Sequence, residues 1–171
     1  MAQRKIMAIL STGGTSEERF SIPWDVSEWV EKNVLLEWVL EEIATLDWST
    51  TELEKFLRDN PNYHPRPLVT LLTYAYATGL FESEEISKLC HRDPFLLGIC
   101  GSYRPSPRVL DRFRRDNRGL LKWALVQLLK RAFRARYKLQ LLPPGLRRHL
   151  EESVIERLDL ARHMDRAGEG A

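Results

Sequence analysis

Apolar and polar positions along this chain recur at intervals of three and four, and no segment alternates with the period of two that marks a half-buried strand. From Ser27 to about Thr45, Val30, Val34, Trp38 and Ile43 define one face, widened by Trp29, Leu35, Leu36, Val39 and Leu40. Glu28, Glu31, Glu37, Glu41 and Glu42 fill the remainder, so this helix packs on several sides and is acidic elsewhere. Asp25 and Glu28 have capping-box spacing, and Ser49-Thr50-Thr51-Glu52 has it more cleanly, opening a short helix to about Leu57 that Asn60-Pro61-Asn62 breaks. Pro65 and Pro67 then bracket the start of PLVTLLTYAYATG, which is uncharged from Leu68 to Thr78 and closes at Gly79. It is shorter than the roughly 20 residues that span a bilayer, so it reads as the central buried helix. Tyr74 and Tyr76 are expected there as core aromatics with hydroxyls at the rim.

The pattern continues with Ser83 as the expected N-cap of EEISKLCHR, whose Ile86, Leu89 and Cys90 point inward. Asp93-Pro94 opens a short apolar helix, FLLGIC, and Ser106-Pro107 opens SPRVLDRFRRDNR. In the latter, Val109, Leu110 and Phe113 share one arc, opposite Arg108, Arg112, Arg114, Arg115 and Arg118. After Asn117 and Gly119, Leu121, Ala124, Leu125, Leu128, Leu129 and Ala132 form another inward stripe, with Lys122, Lys130, Arg134 and Lys138 off it. Pro143-Pro144-Gly145 ends that element. A last helix, about 145 to 164, repeats Leu146, Leu150, Val154, Leu158 and Ala161, and residues 167 to 171 should fray. The fold class is all-α. The expected organisation is a flexible lead-in over 1–22, a helical domain over 23–142, and a C-terminal amphipathic helix with its tail over 143–171.

Charge sharpens this picture. Residues 1 to 103 hold 9 Lys/Arg against 16 Asp/Glu, whereas residues 104 to 138 hold 12 against 2, a local net of +10. Such an excess reads as a polyanion-binding surface, with nucleic acid the commonest partner. Arg108, Arg112 and Arg115 line one face over two turns, spaced for phosphates or bidentate bonds to guanine. Arg114 and Arg118 lie round the side and suit phosphates. Arg104, Lys122, Lys130, Arg131, Arg134 and Lys138 extend the candidate contact. Neutralising about six phosphates gives a log-affinity against log-salt slope of about −5. The helix 94–100 is expected to support the arginine helix.

Catalytic readings are weak by comparison. Glu84 and Glu85 are adjacent and diverge by about 100°. Cys90-His91 also diverge, and no orienting partner for a nucleophile and base is evident. His64 reads as structural, and His149 and His163 are too far apart for a zinc clamp. Cys90 and Cys100 form no CxxC pair and are expected as buried free thiols in a reducing, cytoplasmic setting. No signal peptide or membrane-spanning run is evident, and no metal or cofactor is expected.

From Tyr63 onward, NYHPRPLVTLLTYAYATGLFESEEISKLCHRDPFLLGICGSYRPSPRVLDRFRRDN resembles the N-terminal domain of bacterial insertion-sequence transposases of the InsH type. The resemblance rests on Tyr63-His64-Pro65, the apolar helix ending in Tyr76 to Gly79, the Ser83 to Arg92 helix, and Arg112-Phe113-Arg114 behind a proline-bearing turn. It covers about 62 to 118, with weaker likeness back to about 22 and forward to about 136. It implies a helical domain with a helix-turn-helix-like core that engages duplex DNA in transposition. The family's catalytic domain, RNase H-like with three metal-binding acidic residues, has no counterpart in this sequence. The expectation is therefore a non-catalytic, nucleoid-associated DNA-binding protein. The alternatives are a helical interaction module, homodimerising through the stripe of the last helix, and the DNA-binding half of a split transposase with a separately encoded catalytic chain.

Overall fold

The fold is built around ten consecutive buried residues, Leu68 to Ala77. The computed structural model describes residues 21–48, 54–55, 58–59 and 65–169. The expected lead-in lies almost wholly outside these residues, as do the Ser49 to Glu52 capping box, the Asn60-Pro61-Asn62 break and Tyr63-His64. Among the described residues the structure is all-α, with seven bounded α-helices and no strand. They are α1 (Lys32–Ala44), α2 (Pro65–Ala77), α3 (Ser83–Leu89), α4 (Pro94–Cys100), α5 (Pro107–Asp116), α6 (Arg118–Tyr137) and α7 (Pro144–Glu169). A single 3-10 turn, Val26–Glu28, precedes α1.

α2 is uncharged beyond its first turn, so it can be enclosed by α1, α4, α5, α6 and α7 without stranding a charge. α1 and α7 also pack along α6, while α3 leans on α5 and α7. The main support of α5 is therefore α3, not the 94–100 helix, which packs on α2 instead.

Two caps expected from the sequence form. Asp93 Oδ1 accepts from the N–H groups of Phe95 and Leu96, and Ser106 Oγ accepts from that of Val109. Other expectations are corrected. The first helix begins at Lys32, because Asp25 Oδ1 accepts from Ser27 N and holds a separate 3-10 turn. Its inward face is Leu35, Val39 and Ile43, with Val34 and Trp38 only partly buried. Gly119 lies inside α6, and the α5–α6 junction is Asn117 alone. α6 ends at Lys138, in the left-handed region at φ 53°. α7 runs on to Glu169, past the expected fraying point. Its stripe of Leu146, Leu150, Val154, Leu158 and Ala161 is fully buried within this chain, which removes it as a free dimer seam.

Candidate nucleic-acid interface

The arginine helix α5 buries Leu110, Phe113 and Arg114, and Asn117 follows them inward. These positions are i, i+3, i+4 and i+7, the inward stripe of an amphipathic helix. Arg114 was expected round the side, facing phosphates; it is instead 3% exposed, because it stands one full turn beyond Leu110. Its guanidinium pairs with Asp111 and with Asp165 of α7, where Nη2 lies 3.1 Å and Nε 3.3 Å from Oδ2. The Asp165 carboxylate also accepts from Ser83 N at 2.7 Å and Ser83 Oγ at 2.8 Å. Ser83 is thus the first residue of α3 rather than its cap, and Asp165 supplies the cap from across the fold. One buried carboxylate ties α3, α5 and α7 together.

Most of the other candidate arginines also have partners. Arg112 pairs with Asp59 at 3.2 Å and Asp116 at 3.6 Å, and Arg115 with Asp111 at 3.1 Å. Arg118 pairs with Asp159 of α7 at 2.8 Å. Arg131 reaches Glu41 at 2.5 Å and Glu42 at 3.5 Å on α1, with its guanidinium 4.8 Å over the Trp38 ring. Arg104 Nη1 donates to the carbonyls of Gly101 and Tyr103. Folding therefore brings carboxylates from α1, α7 and Asp59 onto the basic segment, and much of its local +10 is neutralised.

Arg108, Arg112 and Arg115 do meet, lining one open cleft of about 560 Å³. Glu82, Glu84, Asp165 and Glu169 share that lining, so its field is mixed rather than uniformly positive. The remaining candidates lie elsewhere. Arg108 and Arg134 are exposed and Lys122 and Lys130 partly so, and among the described residues none of the four is in an ion pair. Three of these belong to α6. From Asn117 to Leu150 the chain has nine Lys/Arg and neither Asp nor Glu. At 100° per residue, Trp123, Gln127, Lys130 and Arg134 share an outward arc of α6. All four are at least partly exposed.

Sequence reasoning missed a second buried cation. Arg157 of α7 is 0% exposed. Its Nη1 donates to the carbonyls of Trp24 and Tyr76, each at 2.7 Å, and its Nη2 to that of Pro23 at 2.5 Å. Desolvation lowers its pKa to about 10, so it remains charged at neutral pH, close to the carbonyl end of α2. The signal was present, since Arg157 sits between Val154 and Leu158 on the inward stripe. Tyr76 is also deeper than expected: its hydroxyl is buried, not at the rim, and lacks a hydrogen-bond partner among the described residues.

Among the described residues, no group of three or more His, Cys, Asp or Glu is placed to hold a metal ion. No described helix is long and apolar enough to cross a membrane. Compared with known families, residues 25–116 match the one described as Transposase domain (DUF772). No curated protein and no solved structure matches the chain.

Proposed function

The chain belongs to the DUF772 transposase-domain family through residues 25–116, and from that premise we propose that it is a transposase-derived, non-catalytic protein that binds duplex DNA. The observation that carries this reading is that Lys122, Lys130 and Arg134 of α6, a helix with no acidic residue of its own, are not engaged by carboxylates among the described residues. Phosphate contacts from these residues position the duplex. Arg108 adds a fourth unpaired cation from α5. Arg112 and Arg115 stay with Asp59, Asp116 and Asp111 and are not counted among the phosphate contacts. Gln127 and Trp123, on the same arc as Lys130 and Arg134, face the bases or sugars beside those phosphates. Arg114 has no part in this surface.

The test is a salt titration of binding to random duplex DNA. Four unpaired cations on four phosphates give a log–log slope of about −3.6, shallower than a fully exposed basic segment would produce. Lys130→Ala with Arg134→Ala should reduce it to about −1.8. Arg131→Ala, whose cation is already held by Glu41 and Glu42, should leave the slope unchanged. Negligible binding of the wild type at low salt would sink the proposal and direct attention to protein partners. A slope equally sensitive to Arg131 would show that the ion pairs do not select the surface.

A further inference from the structure

The only two cysteines of the chain, ten positions apart, are brought together by the fold. Cys90 is fully buried and forms the C-cap of α3. Cys100 is the last residue of α4 and is 6% exposed. Their sulfurs lie 3.8 Å apart. Each terminates a seven-residue helix, and the intervening turn at His91 to Asp93 folds the two helix ends onto each other. We propose that Cys90 and Cys100 are a thiol-oxidation site, at which a hydroperoxide converts the pair into an intramolecular disulfide joining the ends of α3 and α4.

The geometry gives the two sulfurs different roles. Cys100 is at the edge of the core, next to Gly101, which has φ 58° and open space where a Cβ would stand. The hydrogen bond from Cys90 lowers the Cys100 thiol below its ordinary value; burial opposes this, and the charge of Arg104 assists it. The Arg104 guanidinium is held beside this turn by the carbonyls of Gly101 and Tyr103. Cys100 is therefore the thiolate that meets the oxidant. Its sulfur attacks the terminal peroxide oxygen, breaking the O–O bond and leaving a sulfenic acid and an alcohol, or water when the oxidant is hydrogen peroxide. The Cys90 sulfur then attacks the Cys100 sulfur, expels water and loses its proton. Two thiols are oxidised by two electrons and the peroxide is reduced. Closing the bond requires the sulfurs to approach by about 1.8 Å, which side-chain rotation and a small shift at Gly101 supply.

The experiment treats the folded full chain with hydrogen peroxide, alkylates it under denaturing conditions, and measures intact mass and tryptic peptides. The expected product is monomeric, two hydrogens lighter, unalkylated, and restored to two alkylated thiols by dithiothreitol. Its peptide map should join Leu89–Arg92 to Asp93–Arg108. A thermal midpoint raised by about 5 °C, reversed by reduction, should accompany the short cross-link. Cys90→Ser should accumulate a sulfenic acid at Cys100 that dimedone captures, whereas Cys100→Ser should give no capture. Two fully alkylatable thiols after oxidation, a disulfide between chains, or dimedone capture only in Cys100→Ser would each overturn the proposal.

Discussion

Replacing Arg157 by Met tests the account of the fold most directly. Methionine has a similar reach and no donor, so the three carbonyls of Pro23, Trp24 and Tyr76 lose their partner while the cavity stays filled. Hydrogen bonds to a charged donor are each worth about 1.5–3 kcal/mol, giving about 5–9 kcal/mol for the three. Against this stands the cost of holding the cation out of water. The fall in pKa from 12.5 to about 10 corresponds to about 3 kcal/mol at 1.36 kcal/mol per unit. The net loss on substitution is therefore about 4 kcal/mol. Some buried ion pairs can be replaced by apolar groups without loss, because both partners are removed together. Here the acceptors are backbone and cannot be removed.

Urea unfolding followed by tryptophan fluorescence measures the free-energy difference, and heat unfolding should show the midpoint fall by roughly 8–16 °C for a chain of this size. Arg157→Lys should fall between wild type and Met, since one ammonium keeps the charge but cannot span three carbonyls in two directions. A loss below about 1 kcal/mol in Arg157→Met would refute the reasoning, because it would mean that the strap at 23–25 and the end of α2 hold without the cation.

Three further outcomes follow from the same geometry. Asp165→Ala should cost about 3–5 kcal/mol in urea unfolding because it strands the buried Arg114 and uncaps α3, while Arg118→Ala, removing a half-exposed pair with Asp159, should cost no more than about 1 kcal/mol; equal losses would contradict the distinction. Tyr74, pushed up to about 12 by burial and secondarily by Asp93 and Asp25, stays protonated in the folded state while the unfolded chain ionises near 10. Its stabilising contribution is thus complete below pH 10 and lost as pH rises toward 12, so Tyr74→Phe should show a shallower alkaline decline than wild type in unfolding between pH 9 and 11.5. Gly79→Ala should lose about 1 kcal/mol or more, because φ is +81° there, a conformation that costs any residue with a Cβ; unchanged stability would show that the turn relaxes.

The local grammar of the chain was largely legible. Asp93-Pro94 and Ser106-Pro107 marked helix starts where the structure has them, and the uncharged run at Leu68 to Thr78 announced the buried centre. The resemblance carried by residues 62 to 118 led to the family. What the sequence hid was long-range pairing. Nothing near Arg114 indicates that Asp165 will meet it, or that Glu41 and Glu42 will hold Arg131. Charge counted along the chain overstates the field when acidic segments fold onto basic ones. The burial of Arg114 and Arg157 was legible in principle, since both fall on inward stripes, but grouping α5's arginines by charge obscured the phase of one of them.

This redistribution of charge bears on where a polyanion would dock. The family match ends at Asp116, yet Arg114 inside it is completed by Asp165 outside it, and α2 inside it is covered by α6 and α7. The segment after Asp116 therefore contributes core as well as surface. It also divides the charge: Asp165 of α7 pairs with Arg114 of α5 and Asp159 with Arg118 at the very start of α6, whereas the rest of α6 and the start of α7 have no acidic residue to Leu150. A phosphate approaching α5 must displace carboxylates; one approaching the outward arc of α6 must displace only water and counterions. Counterion release favours the second route, and it does so with fewer cations than the sequence displays.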